Sequence, residues 1–332
     1  MERKEVVFVK KGWLYIAAAT ILFSTLEIVL KEIAGDFNPM QLTMTRFLAG
    51  GIFLLPFAVR AVKTRGARIE ARDFRFFALL GLLGIAVSMT FYQLAIMDAN
   101  ASVVATLFSC NPAFVMLFAA LLLHEVICRR NLIAIALEVF GIVFIINPFH
   151  MQTEPNGIIL TLLSVLTFAL YGVLGKRKCA KYGGAAVTCM SFLFGAAELL
   201  AFAGFSHIPP FAEAMTACGL DAFANIPFLT GYSMDNLWLV LYVYIGTTGI
   251  GYASYFTAME KTSANTASLI FFFKPVLAAV LAFFVLHEAI PYNMVWGIVL
   301  ILAGSLVNIL PGLLFARGKQ APAAEAAEKG LH

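Results

Sequence analysis

Five ionisable side chains lie deep inside apolar stretches of this chain: Glu27, Arg46, Glu138, Glu198 and Lys274. A charge at bilayer depth costs about 2.5–3.5 kcal/mol on insertion scales, so each must face protein or water. The chemistry open to them is ion pairing, proton exchange or recognition of a charged solute. Glu27 belongs to a polar stripe, Thr20, Ser24, Glu27 and Lys31, whose spacing keeps all four on one helical face. At helical rise, Glu27 lies about 6 Å inside Lys31, and Arg46 about 10 Å inside Pro39. These depths are similar. A Glu27–Arg46 ion pair is therefore open, and so is a Glu27 that faces a cavity as a proton or cation site. Lys274 directly precedes Pro275, as Asn111 directly precedes Pro112. Proline leaves the carbonyl four residues earlier without its amide partner and kinks the helix. Freed carbonyls at midplane depth can hold a solute. Lys274 thus reads as a counter-charge, for a substrate carboxylate or for an internal glutamate.

Glu138 shares a face with Asn131, Ala134 and Gly141. Small residues mark close helix packing, so Glu138 is expected to be a buried, hydrogen-bonded structural group. Glu198 shares a face with Thr188, Ser191 and Gly195, which suits lining or packing equally. Tyr92, Gln93, Thr248 and Tyr255 add hydroxyls, an amide and rings suited to a mostly apolar pocket. Tyr244, Thr248, Gly251 and Tyr255 fall on one face at helical spacing. Other chemistry lacks its residues. Neither His124-Glu125 nor His287-Glu288 continues as HExxH, no GxxxxGK[ST] occurs, and no nucleophile–base constellation can be read. The expectation is no enzyme, no metal and no cofactor.

The elements that must position these residues follow from composition. Of 332 residues, 61% are hydrophobic and 13% charged, with mean hydropathy +0.89. Soluble domains carry about 25% charged residues, so a water-facing surface cannot be built here. Thirty-one Phe and ten Tyr exclude disorder. A net charge of +4, with the basic residues in short clusters, argues against nucleic acid as a partner. A membrane span needs about 20 apolar residues. Ten runs qualify, near 12–31, 39–60, 75–97, 99–123, 131–148, 157–175, 183–206, 236–258, 264–286 and 293–315. They are read as helices, because an open strand edge cannot face lipid. With the N-terminus on one side, twenty Lys and Arg fall on that side and only Lys31 on the other. That asymmetry predicts both termini in the cytoplasm of a plasma-membrane protein. The loop at 207–235 is expected on the outer side and to carry a short helix. The tail at 316–332 is expected to be disordered.

The chain also resembles itself. At an offset of 163, Tyr92 matches Tyr255, Ala95 matches Ala258, Pro112 matches Pro275, His124-Glu125 matches His287-Glu288, and Gly141 matches Gly304. Earlier in the repeat the offset is 145, pairing Lys31 with Lys176, Phe47 with Phe192 and Gly50 with Gly195. The fold class is therefore all-α integral membrane, ten transmembrane helices as two inverted five-helix repeats, 12–148 and 157–315. Five is odd, so the halves enter the bilayer from opposite sides. Inverted repeats suit alternating access around a site between the halves.

Ten spans in two five-helix halves resemble the drug/metabolite transporter superfamily, in particular EamA-like proteins. The residues that carry the resemblance are NPMQLTMTRFLAGG at 38–51, YxxA at Tyr92–Ala95 and Tyr255–Ala258, the proline-containing fourth and ninth helices, LLLHE at 121–125 and VLHE at 285–288. Where the family pattern has Trp-Gly in the first helix, this chain has Phe23-Ser24. The resemblance implies secondary transport, often efflux. The expected partners are the lipid bilayer, a small polar or amphipathic metabolite, amino-acid-like in the favoured reading, and protons as the candidate coupling ion. Export is favoured over uptake. The alternatives are efflux of cationic drugs at Glu27 or Glu198, and a membrane-embedded enzyme or non-transporting sensor.

Overall fold

The computed structural model describes residues 2–123, 129–146, 155–262, 267 and 270–318. Among these, the apolar runs form helices α1 (Glu2–Glu32), α2 (Pro39–Thr64), α3 (Ala71–Asp98), α4 in two pieces (Ala101–Phe108 and Asn111–Leu123), α5 (Arg129–Ile146), α6 (Pro155–Tyr182), α7 (Gly184–Phe205), α8 (Leu237–Lys261), α9 (Ile270–Val285) and α10 (Tyr292–Gly318). Seven of them, α1–α4 and α6–α8, are long and apolar enough to cross a membrane, and α5, α9 and α10 contain shorter apolar helices. Among the described residues this is an all-helical membrane protein with seven long apolar spans plus shorter helices. A further short helix, Pro209–Ala217, forms in the loop after α7. α10 runs to Gly318, three residues into the stretch expected to be a disordered tail. His124-Glu125 and residues 319–332 lie outside the described residues.

Local sequence explains the ends. Asn38 caps α2, its Oδ1 accepting from the amides of Met40 at 2.9 Å and Gln41 at 3.2 Å, with Pro39 at the first position, where no amide is missed. α4 breaks before its proline: Ser109 and Cys110 turn tightly, their amides donating three residues back to Thr106 and Leu107 at 3.1 Å each. α3 and α8 each contain a π-helical segment, Leu82–Val87 and Tyr242–Gly251, in matching places at the offset of 163.

Close helix crossings follow the same offsets, with the partners exchanged between halves. A Cβ on Gly50 would lie 3.3 Å from the Tyr244 carbonyl oxygen and 3.2 Å from Thr248. A Cβ on Gly195, its repeat mate, would lie 2.8 Å from the Gly81 carbonyl oxygen and 2.5 Å from Ile85, the mates of Tyr244 and Thr248. Likewise Gly141 faces the Gly297 carbonyl and Ile301, while its mate Gly304 faces the Ala134 carbonyl and Glu138. Only the absence of a side chain lets these backbones meet. Phe47 and its mate Phe192 touch directly, edge to face, with centroids 4.7 Å apart.

Polar ties fasten both ends. At one end buried Asp73 binds Lys178 at 2.6 Å, Lys181 at 3.3 Å and Tyr182 at 2.5 Å, and Glu260 pairs with Arg65 while capping the Gly184 amide at 2.7 Å. At the other, Lys31 donates to the carbonyls of Ile96 and Ala99 at 2.7 and 2.9 Å, at the C-terminal end of α3, where a cation suits the helix dipole. After α9, His287 takes a left-handed backbone (φ 54°). Glu288 then accepts from the Ala101 amide at 2.8 Å and the Ser102 hydroxyl at 2.6 Å, capping α4. His287-Glu288 thus closes a turn and joins the halves.

Candidate functional site

The site is built where α1, α3, α4, α6, α8 and α9 converge. Glu27 of α1 and Lys274 of α9 form an ion pair, and both are buried. The Lys274 Nζ also lies 4.6 Å from the ring centroid of Phe108 and 5.8 Å from that of Tyr92, within cation–π range. Lys274 lines a small cavity with Phe23, Leu26, Met89, Tyr92, Phe108, Phe168, Tyr252 and Phe271. Its free volume is about 10 Å³, no more than one water needs, so the rings are closed on one another.

Repeat mates furnish the cage. Phe23 and Phe168 correspond at the offset of 145, and Phe108 and Phe271 at 163. Phe23 stacks on Phe271 with centroids 6.3 Å apart, and their mates Phe168 and Phe108 meet at 5.3 Å. Met89 and Tyr252 are also mates, and the Tyr252 hydroxyl donates to the Met89 sulfur at 2.9 Å. The aromatic body of the site is therefore two-fold in layout. Its charges are not. The mates of Glu27, Arg46 and Lys274 are Gly172, Ser191 and Asn111, all neutral.

Arg46 is buried beside this cage, its guanidinium 4.7 Å from the centroid of Phe47 and within electrostatic reach of Tyr252, Tyr92, Tyr244 and Glu27. No carboxylate pairs with it among the described residues, and its Nε and Nη2 have no hydrogen-bond partner. The sequence left open which cation Glu27 would meet. The matching depths of Glu27 and Arg46 pointed to a pair between α1 and α2, but α9 brings Lys274 into contact instead.

The remaining candidates divide. Tyr92 is in the cavity wall, and Tyr255 packs behind it on Phe168 and Phe271, at 5.7 and 5.8 Å between centroids. Asn111, Gln93 and Thr248 are buried, and among the described residues the Gln93 amide and the Thr248 hydroxyl have no hydrogen-bond partner, but none of the three lines the cavity. The face expected for Tyr244, Thr248, Gly251 and Tyr255 does not exist as such. The π-helical segment resets the register, so Tyr244 meets Thr45 at 2.5 Å, Thr248 packs on Gly50, and Gly251 approaches Phe23. Glu138 is buried against Gly304 in the α5–α10 crossing, a packing position. Glu198 is half-buried on α7 and stands apart from the cage. Pro112 and Pro275 sit where α4 and α9 pass the cage, directly after Asn111 and Lys274. Of the other cage aromatics, the sequence marks Phe23, only as a departure from the family's Trp-Gly, and passes over Phe108, Phe168, Tyr252 and Phe271. Extending the two repeat offsets to all large residues would have paired Phe23 with Phe168 and Phe108 with Phe271.

Comparison with known proteins adds the following. The chain matches the EamA-like transporter family over residues 10–147 and again over 155–310. It is 34% identical over 307 residues to an uncharacterized transporter of Clostridium kluyveri, covering 90% of this chain and 93% of that one. The uncharacterized transporter YoaV of Bacillus subtilis is 21% identical, over 90% of this chain and 96% of its own length. A solved crystal structure shares the fold with a TM-score of 0.63 at 18% identity, covering 91% of this chain and 98% of the other.

Proposed function

The chain belongs to the EamA-like transporter family, and from that premise we propose that this membrane transporter works by alternating access, exporting a small polar or amphipathic metabolite, with amino-acid-like molecules the favoured class, across the plasma membrane. The observation that carries the reading is the buried Glu27–Lys274 pair set into an aromatic cage built from both halves. A site between two repeats can be opened to either side by rocking one half against the other. Ten spans arranged as two inverted five-helix repeats, with the units at 12–148 and 157–315, are supported by the exchanged glycine crossings. Gly50 and Gly195, and Gly141 and Gly304, meet corresponding partners in the opposite half. Both termini are cytoplasmic in this reading, as the positive charges on the links ask. Protons are the coupling ion in this reading, and Glu27 is the carboxylate placed to exchange one when its ion pair with Lys274 opens. Tyr92 and Tyr252 line the same cavity as Lys274.

The matched homologues are transporters, not enzymes. Efflux of cationic drugs is disfavoured, since Glu27 is already neutralised by Lys274 and Glu198 stands apart. The test is flux. The purified chain in proteoliposomes, given a panel of labelled amino acids and organic acids under an imposed pH gradient, is expected to move part of the panel. Absence of flux above protein-free vesicles for every compound overturns the proposal.

A further inference from the structure

We propose that Arg46, rather than Lys274, receives the anionic end of the transported molecule, and that this molecule is an amphipathic monocarboxylate. The inference rests on the transport reading and moves its favoured substrate from an amino-acid-like zwitterion to an amphipathic molecule that carries the carboxylate alone. Glu27 and Lys274 neutralise each other, whereas Arg46 is a buried cation with no carboxylate partner among the described residues. An uncompensated charge away from water is costly, and an arriving anion removes that cost. The atoms without partners fix the geometry. Nε and Nη2 form one edge of the guanidinium, the edge that takes a carboxylate side-on through two parallel hydrogen bonds. Phe47 joins Arg46 to the cage, since the guanidinium lies 4.7 Å from its ring centroid and Phe47 packs edge to face, at 5.7 Å, on Tyr252, which lines the cavity with Phe23, Phe108, Phe168 and Phe271. A carboxylate on Arg46 therefore puts its apolar body among the rings once they part. The charge count then separates classes of substrate. A monocarboxylate brings the buried trio to zero. A zwitterion leaves it at a net positive charge: with its carboxylate on Arg46, either its ammonium group goes unpaired or it displaces Lys274 from Glu27 and leaves that lysine unpaired. A cation would have to share Glu27, whose charge Lys274 already neutralises. The lopsided site, with Gly172, Ser191 and Asn111 at the corresponding positions of the other half, suits a molecule charged at one end.

Four probes that share a phenyl-terminated chain test this on the purified full chain: 3-phenylpropionate, phenylalanine, 3-phenylpropanamide and 2-phenylethylamine. The expectation is that 3-phenylpropionate binds the unaltered protein most tightly. Arg46→Gln should weaken it by about tenfold or more, and Arg46→Lys, which keeps the charge but loses the fork, by less. Tighter binding of any other probe, no binding of 3-phenylpropionate, or affinity within about twofold in Arg46→Gln overturns the assignment. Should Arg46→Gln not fold, the ranking on unaltered protein and the Arg46→Lys loss still decide it. Counterflow in proteoliposomes separates the two levels. Flux of phenylalanine without 3-phenylpropionate overturns the carboxylate assignment and leaves transport standing. Binding of 3-phenylpropionate without flux of any probe overturns transport and leaves the site.

Discussion

At the residue scale the decisive contact is the ion pair of Glu27 and Lys274. Removing one partner of a buried pair leaves the other charge uncompensated, at about 3–5 kcal/mol. Glu27→Gln and Lys274→Met are each expected to lower the thermal midpoint of detergent-purified protein. The double variant should lose less than the two single losses combined. Strict additivity would mean that the residues do not interact. The same carboxylate carries the coupling prediction. Glu27→Gln should abolish the pH dependence of flux while the panel is still transported downhill, and pH dependence kept at its original strength would assign coupling to another group. Four buried ionisable residues, Glu27, Arg46, Glu138 and Lys274, were legible in the sequence because charge is rare in its apolar runs, while Asp73 escaped notice and Glu198 is half-buried. Their partners were not. Depth along a helix can be counted from residue number, but the rotation of α9 toward α1 depends on packing far apart in the chain.

At the scale of elements, helix crossings decide how closely the halves meet. A Cβ on Gly195 would intrude on the backbone of α3, 2.8 Å from the Gly81 carbonyl oxygen. Backbone cannot turn aside as a side chain can. Gly195→Ala is therefore expected to cost about 1–3 kcal/mol, as overpacking does. Gly204 ends the same helix with nothing within 4 Å of a Cβ. Gly204→Ala should be neutral or stabilising by up to about 1 kcal/mol, from helix propensity alone. Equal effects of the two substitutions in denaturant titrations would argue against close packing at Gly195. Apolar runs located the helices, within a few residues at most ends, although α1 starts at Glu2 and α6 continues to Tyr182 because polar residues extend both, and Pro112 announced the break in α4. The π-helical segments gave no such signal. In the π-helical segment of α8, Thr248 packs on Gly50 and not in the cavity wall.

At the scale of the whole molecule, the ends are tied across the halves by Asp73 with Lys178, Arg65 with Glu260, and Glu288 at the start of α4. The proposed rocking would break ties at one end while keeping those at the other. Orientation is directly testable because Cys218, in the loop after α7, is the exposed one among the described cysteines. A variant that keeps only Cys218 should react with a membrane-impermeant maleimide in intact cells. A cysteine-free variant with Arg68→Cys, on the α2–α3 link, should react only after permeabilisation. The reverse pattern would invert the proposed topology.

The sequence alone determined the class of molecule and the family. Low charge content forces burial in lipid, and a repeated pattern of tyrosine, proline and glycine survives in both halves. It also named the few charges costly enough to matter. Only the tertiary structure decided which of them neutralise one another. An ion pair is set by distance across helices, whereas hydropathy and periodicity act along one. Folding brought Lys274 to Glu27, closed the paired phenylalanines around them, and left Arg46 buried with one edge open.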